Sequence, residues 1–312
     1  MGNLGWSSWR AIWRLGWCHG VKTNRLNISS LYTNYMDKYV VAVSGGVDSV
    51  VLLDILSKQP DVNLIVAHFD HGVRYDSGID AIFVAGLAKK YGLPFETKRE
   101  ELGPDVSEDK ARARRYKFLR EVAEKHKAQL ITAHHADDVI ETIAINLSRG
   151  TGWRGLAVLD SDVVRLMTGL TKSDIIDYAV SNKLDWHEDS TNFENKYLRN
   201  RIRHQTNRLE EDKKRQLLGL WSEQKSLKRL IKQETDRLVG DGPDYSRYFF
   251  IHINQSTAME CLRHIVGSRL TRPQLIKAIH AIKTTLAGKT YDAGGGVRLN
   301  FTSRNFTVEL IK

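Results

Sequence analysis

Cysteine is nearly absent from this chain: Cys18 and Cys261 are the only two in 312 residues, and they lie far apart. That excludes a disulfide framework, a four-cysteine zinc site and a CxxC redox pair, and the sequence reads as intracellular, in the cytoplasm. Long apolar runs are missing too. No stretch approaches the roughly eighteen residues of a membrane span, so no stable membrane association is expected. Acidic residues are absent from the first 36 positions, where Trp6, Trp9, Trp13 and Trp17 recur at helical spacing with Arg10 and Arg14 between them. A basic, tryptophan-bearing helix suits a membrane surface or a targeting role. The simpler reading takes Met36 as the start of translation and residues 1–36 as a disordered leader. The sequence has no internal repeat and no low-complexity segment.

Positive charge is plentiful. Against 37 Asp+Glu stand 47 Lys+Arg, a formal net charge of +10. Such a surface attracts polyanions in a salt-dependent way, with nucleic acid the first candidate. Length and a 41% hydrophobic content suit one sizeable α/β core with a smaller appended unit.

Lys38–Val43, Asn63–Phe69, Pro94–Lys98 and Gln129–His134 read as strands. They alternate with helical patterns at Asp48–Ser57, about 77–91, and Ser107–Lys127. Alternation of this kind implies βαβ units and a parallel sheet, whose ligands sit outside the carboxyl ends of the strands. Leu209 to Leu238 is charged and helical, and GDGP at Gly240–Pro243 punctuates it. Beyond it, Tyr245–Ile253 reads as a strand, Thr257–Val266 and Arg272–Leu286 as helices, and the closing strands flank Gly294–Gly296. The expected organisation is a leader at 1–36, a catalytic domain at 37–208, a helical linker at 209–243 and a small α+β domain at 244–312.

The first strand breaks into SGGVDS, Ser44 to Ser49. Two glycines let the backbone bring its N–H groups close to a ligand, the following helix adds its positive end, and Ser44 and Ser49 add hydroxyls. Phosphate, and pyrophosphate in particular, fits such a turn. The lysine of a Walker loop is missing, and G-x-G-x-x-G is not matched. Asp48 would repel phosphate unless a cation intervened, which points to Mg²⁺.

Each later strand also ends in functional residue types. The second closes on His68, Asp70 and His71. The helix after the third places Glu108, Arg112 and Arg115 on one face, the arginines offering planar forks for phosphate. The fourth runs into THHADDVIET, in which Asp137 and Asp138 open a helix beside His134, His135 and Glu141. Neighbouring helical residues point about 100° apart, so two acids there can divide the holding of an ammonium from proton transfer or metal binding. Helix-dipole stabilisation is the plain alternative for such a pair. The two histidines read as hydrogen-bonding elements rather than zinc ligands.

SGGVDS resembles the SGGxDS signature of the PP-loop ATP pyrophosphatases. In order and spacing, that loop, the helix of Arg112 and Arg115, the acidic motif, DSTN from Asp189 to Asn192, and the Arg199, Asn200, Arg203 run resemble the tRNA(Ile)-lysidine synthetase family over about residues 40–208. Leu270–Ile279 and Gly288–Leu299 resemble the small tRNA-binding domain of the same family, so the chain is similar to its short form. The resemblance implies a doubly wound parallel sheet of the adenine nucleotide hydrolase-like type with a small α+β domain. It also implies ATP and Mg²⁺, free L-lysine as substrate, and a minor isoleucine tRNA with a CAU anticodon as partner. In that family the wobble cytidine is adenylated with release of pyrophosphate, and lysine then displaces AMP. A homodimer is left open.

Carried onto this sequence, the resemblance puts Ser44 to Ser49, Val47 included, with His68, Asp70 and His71 on ATP. Asp48, Arg112, Asp137 and Asp138 take the chemistry, with Asp48 toward Mg²⁺. Glu108, Arg115, His134, His135, Glu141 and Arg149 face lysine or tRNA, as do Asp189, Asn192, Arg199, Asn200 and Arg203. Lys277, Lys283, Lys289 and Arg298 continue a basic track toward the RNA backbone. One departure stands out: Arg165–Thr168 (RLMT) replaces the family's Arg-Pro-Leu-Leu strand, and the connection from Leu156 to Val163 is short. A thiolase of the same superfamily is disfavoured because both cysteines fall outside every motif. An inactive tRNA binder is disfavoured by the complete loop and acid pair.

Overall fold

The computed structural model describes residues 38–59, 62–72, 77–103, 106–187, 198–206, 208–240 and 242–311, with backbone alone at Ser77, Glu108 and 198–200. The expected leader, Asp189 and Asn192 lie outside the described residues. Two units divide the chain, one ending at Trp221 and the other beginning at Ser222.

In the first unit β1 (Lys38–Ala42), β2 (Asn63–Asp70), β3 (Phe95–Arg99) and β4 (Gln129–Ile131) form a parallel sheet in the order β3-β2-β1-β4. The intervening and following helices are α1 (Val47–Ser57), α2 (Ser77–Lys90), α3 (Glu108–His126), α4 (Ala136–Ser148), α5 (Lys172–Ser181), α6 (Leu198–Thr206) and α7 (Glu211–Val239). Strand side chains alternate between faces, and both faces here are apolar. Val41, Val43, Leu64 and Val66 pack with α1, α2 and α5. Val40, Ile65 and Ala67 pack with Phe118, Leu119 and Val122 of α3. The sheet is therefore covered on both sides, as the doubly wound expectation requires. The strand order reverses beside β1, which opens a cleft between the ends of β1 and β4.

Two expectations need correction, and the RLMT departure takes its own form. β4 stops at Ile131 instead of reaching His134: the Thr132 N–H donates to the Val164 carbonyl at 3.1 Å, and the Thr132 hydroxyl lies 2.8 Å from His134 Nδ1. That local side-chain bond competes with the ladder and turns the chain out of the sheet. The RLMT segment adds no full strand either, only an isolated parallel bridge between Ile131 and Val164, while Leu166, Met167 and Leu170 sink into the core. In the second unit, the single strand expected at Tyr245–Ile253 is β5 (Asp244–Ser246) followed by α8 (Arg247–His252). Ser246 caps that helix by accepting from Phe249 N–H, and Arg247 and Phe250, three apart, are its buried residues. The Arg247 guanidinium donates to the carbonyls of Ile282, Thr285 and Thr302 at 2.7–2.9 Å.

The second unit continues with α9 (Gln255–Val266), α10 (Arg272–Thr284), β6 (Thr290–Gly294), β7 (Val297–Phe301) and β8 (Asn305–Leu310). Its antiparallel sheet runs β5-β8-β7-β6. Gly295, at φ +58° in the β6–β7 turn, sits so close to the Arg269 carbonyl that a Cβ would fall 2.1 Å from its oxygen. Cys261 is fully buried in this core. Among the described residues no helix is long and apolar enough to cross a membrane.

One buried carboxylate ties the first unit together. Asp54 on α1 accepts from the hydroxyls of Tyr91 and Tyr178, each at 2.8 Å, and from Lys58 Nζ at 2.6 Å. Tyr178 lies on α5, so α1 and α5 are pinned side by side. Burial, and next the bond to Asp54, push the Tyr91 hydroxyl above its ordinary range. Asp54→Ala strands the buried Tyr178 hydroxyl and the half-buried Tyr91 hydroxyl and should cost about 3 kcal/mol, with Tyr178→Phe costing about 1 kcal/mol, measured as urea midpoints. A wild-type midpoint for Asp54→Ala would remove this carboxylate from the scaffold.

Candidate active site

The turn after β1 is built from backbone. Gly45 holds φ +95°, a region that side chains rarely adopt, and Gly46 caps α1 without any side chain. The Ser49 and Val50 N–H groups donate to the Gly46 carbonyl at 3.0 and 3.1 Å, while those of Val47 and Asp48, at the start of α1, have no carbonyl within the helix to meet. Ser49 organises the turn: its Oγ accepts from Ser44 N–H at 3.1 Å and donates to the Gly46 carbonyl at 2.9 Å, and Ser44 Oγ stands 3.2 Å away. Val47 is buried in the core and offers only its backbone. From outside, His187 N–H donates to the Gly45 carbonyl at 3.0 Å. The His187 ring stacks on Phe83 at 4.2 Å, with Nδ1 2.7 Å from Asp80.

Across the cleft, α4 begins where the chain leaves β4. His135 is its N-cap, with its N–H donating to Asp138 Oδ2 at 2.9 Å. The His135 ring then stands among three carboxylates: Asp137 at 3.5 Å, Asp138 at 3.5 Å and Asp48, from the β1 turn, at 3.8 Å. Lys172, at the start of α5, serves two of them. Its Nζ lies 2.6 Å from Asp48 Oδ1 and its backbone N–H donates to Asp137 Oδ2 at 2.8 Å. Lys214, in the first turn of α7, reaches Asp137 Oδ1 at 3.5 Å.

These contacts set the charges. Burial alone would lower His135, but Asp137, Asp138 and Asp48 together outweigh it and raise its pKa. Burial would likewise raise Asp137, yet His135, the Lys172 N–H and Lys214 hold it well below the usual carboxylate range. Asp138 is held low against its burial by His135 and by Arg203. His134 behaves in the opposite way. Burial pushes it down to about 3 despite Asp138, with Arg165, Arg112 and Arg115 adding to the fall, so it is neutral at pH 7.

The arginines gather around that neutral ring. Arg112 and Arg115 lie over the Tyr116 ring at 4.9 and 5.7 Å, and Arg112 donates toward its hydroxyl at 3.4 Å. Arg203 of α6 pairs with the buried Glu141 of α4 at 3.3 Å. At the end of β2, Asp70 is committed to the Gly72 N–H at 2.8 Å and to Arg99 at 3.3 Å. His71 packs edge-on against Phe69 at 4.8 Å. His68 Nδ1 lies 2.8 Å from the Val43 carbonyl, which can only accept, so that nitrogen carries the hydrogen. Its Nε2 is left as a buried acceptor without a partner among the described residues.

The structure thus brings Ser44 to Ser49, His134, His135, Asp137 and Asp138 together at the two strand ends, with Glu141 and Arg203 behind them. Arg149 is not part of that group: it caps the opposite, exposed end of α4, about 18 Å along the helix. Of Glu108, Arg199 and Asn200 only the helical backbone is described, in α3 and α6. Sequence reasoning missed Lys172, Lys214 and the Asp80–His187 pair. Thr171 and Asp174 form a capping box that marks the start of α5. Nothing local shows that Lys172 meets an acid 124 positions upstream.

A family model described as a PP-loop domain matches residues 22–210, more than half of the chain. The chain belongs to this PP-loop family. A tRNA(Ile)-lysidine synthase of Thermosipho africanus is 36% identical over 184 residues, covering 54% of this chain and 42% of the relative. One from Thermotoga maritima is 33% identical over 225 residues, with 68% and 54% covered. The chain spans about half the length of these relatives. Among solved structures, the U34-tRNA thiolase of Methanococcus maripaludis with its 4Fe-4S cluster superposes with a TM-score of 0.53 at 20% identity. The match covers 66% of this chain and 76% of that one. At that identity the likeness is one of fold.

Because the acids raise His135, the folded PP-loop domain binds its proton more tightly than the unfolded chain does. The resulting stability is complete below about pH 6.5 and is lost as pH rises through the higher folded-state value. The stability gap between wild type and His135→Gln, measured by urea titration, should narrow as pH rises above about 6.5. A gap that widens would mean that burial outweighs the three acids.

Proposed function

We propose that this PP-loop protein is a tRNA(Ile)-lysidine synthetase, an ATP-dependent ligase that joins the ε-amine of free lysine to C2 of the wobble cytidine in a CAU-anticodon isoleucine tRNA. The observation that carries the reading is the meeting of the β1 turn and the acid pair of α4 around His135, with Asp48 3.8 Å and Asp137 3.5 Å from its ring. Activation of a poor electrophile and capture of an amine need adjoining sites of these two kinds. The names of the relatives above support the same choice.

In the first step the cytidine O2 attacks the α-phosphorus of ATP and pyrophosphate departs. The N–H groups of Val47 and Asp48 and the positive end of α1 receive the phosphates, and Lys172 is placed to follow the charge that leaves. Among the described residues no group of three or more His, Cys, Asp or Glu side chains could by itself hold a metal. That fits Mg²⁺, which is held through one or two carboxylates together with substrate phosphates, Asp48 being the nearest such carboxylate. Bound there, Mg²⁺ would offset phosphate charge.

In the second step the lysine amine attacks C2, AMP leaves with the original O2, and the amine loses its proton. Asp137, kept ionised by its donors, holds the ammonium as it enters. Asp138 stands beside it as the carboxylate to take the proton, while His134, neutral with its pKa held at about 3, serves as a hydrogen-bonding group. Arg112 and Arg115 face the charge on the departing AMP. Both steps are assigned to the cytoplasm.

The test incubates purified protein with Mg-ATP, labelled lysine and unmodified isoleucine tRNA bearing CAU, with methionine tRNA as control. ATP-dependent label on the isoleucine tRNA alone is expected. Asp48→Asn should lower tRNA-dependent pyrophosphate release by about 100-fold. Full release by that variant would take Asp48 out of the reaction.

A further inference from the structure

Lys214 is an unusual lysine. Its side chain is only 13% exposed, although lysines seldom leave water. The reason lies in α7, where Lys214, Leu218 and Trp221 fall on one helical stripe. Leu218 and Trp221 pack against Val139 and Ile143 of α4 and against Val158, and Trp221 Nε1 donates to the Val158 carbonyl at 2.9 Å. The helix so gripped, α4, is the one that opens with Asp137. Packing two turns away therefore delivers the Lys214 ammonium to Asp137 Oδ1 at 3.5 Å.

The other carboxylate oxygen is already taken. Oδ2 accepts the Lys172 N–H at 2.8 Å and faces His135 at 3.5 Å. An alkylammonium arriving at Asp137 can only seek Oδ1, where an alkylammonium of the same chemistry already rests. That resident group has somewhere to go, because Lys214 Nζ is also 3.1 Å from Glu211 Oε1, one helical turn back and exposed.

We propose that Lys214 sets the affinity for the amine substrate: it occupies the ammonium position on Asp137 in the empty site and withdraws to Glu211 when the substrate amine enters. The inference rests on the reading that Asp137 receives the substrate ammonium. It makes Lys214 a built-in competitor, so that only an amine making further contacts of its own displaces it.

The experiment measures KM for lysine from label fixed on tRNA, and Kd for free lysine by equilibrium dialysis with Mg-ATP, on the whole chain. Lys214→Gln should lower both about five-fold, with the change carried by KM rather than kcat. Glu211→Gln, which removes the retreat, should raise them, and Lys214→Arg should restore near wild-type values. A rise in KM and Kd for Lys214→Gln, at unchanged unfolding temperature, overturns the proposal, and so does a loss confined to kcat. Asp137→Asn separates the two levels. If it leaves lysine affinity untouched, the reading of Asp137 fails; if it weakens lysine while Lys214→Gln also weakens it, only the role given to Lys214 fails.

Discussion

Three carboxylates share one imidazole at the ends of β1 and β4, and bringing like charges that close is unfavourable unless each is compensated. Much of the first unit can be understood as that compensation. The start of α4 directs its dipole at Asp137 and Asp138, the start of α5 delivers both Nζ and N–H of Lys172, and α7 adds Lys214. Positive charge thus comes from three helix beginnings and from side chains distant in sequence. Each acid of the cleft therefore meets a cation or an N–H donor of this chain.

The scaffold keeps those beginnings in register. Asp54 joins α1 and α5 near their far ends, so the turn that carries Asp48 and the residue that pairs with it are held by the same two helices. Gly45 is gripped from outside by the His187 N–H and from beneath by Phe83 and Val84, which a Cβ there would meet at 3.5 and 3.7 Å. A turn fixed in this way would need little ordering on meeting a ligand.

The parallel sheet, the turn and the acid pair were legible in the sequence because each is a local pattern: continuous apolar runs alternating with helical segments, a Gly-Gly pair between strand and helix, acids at a helix start. What escaped has a physical reason in each case. Lys172 and Lys214 are ordinary lysines in charged stretches, and their meaning appears only when segments 35 or more positions apart come together. The strand expected through His134 ended early because a threonine hydroxyl satisfied the next histidine. The helix at Arg247 looked like a strand because its aromatic residues favour strands, and tertiary packing of Arg247 and Phe250 overrode that preference. Asp70 looked free for a ligand but is spent on its own turn and on Arg99.

Lys172 touches both halves of the cleft through one residue, and this bears on how such a sequence can drift. The path into Lys172 is anchored by Leu166, Met167 and Leu170 in the core and by the Ala136 N–H on the Leu170 carbonyl at 2.8 Å. An insertion or deletion between Val164 and Thr171 would displace the partner of Asp48 and the partner of Asp137 together, so neither could be repaired by a single later change. Upstream of Val164 the connection from Leu156 is held differently, by Val158 packed against Val139 and Ile143 and bonded to Trp221 Nε1 at 2.9 Å. The RLMT departure thus falls in a segment whose length is fixed at both ends, by the bridge of Val164 to Ile131 and by Lys172 between Asp48 and Asp137.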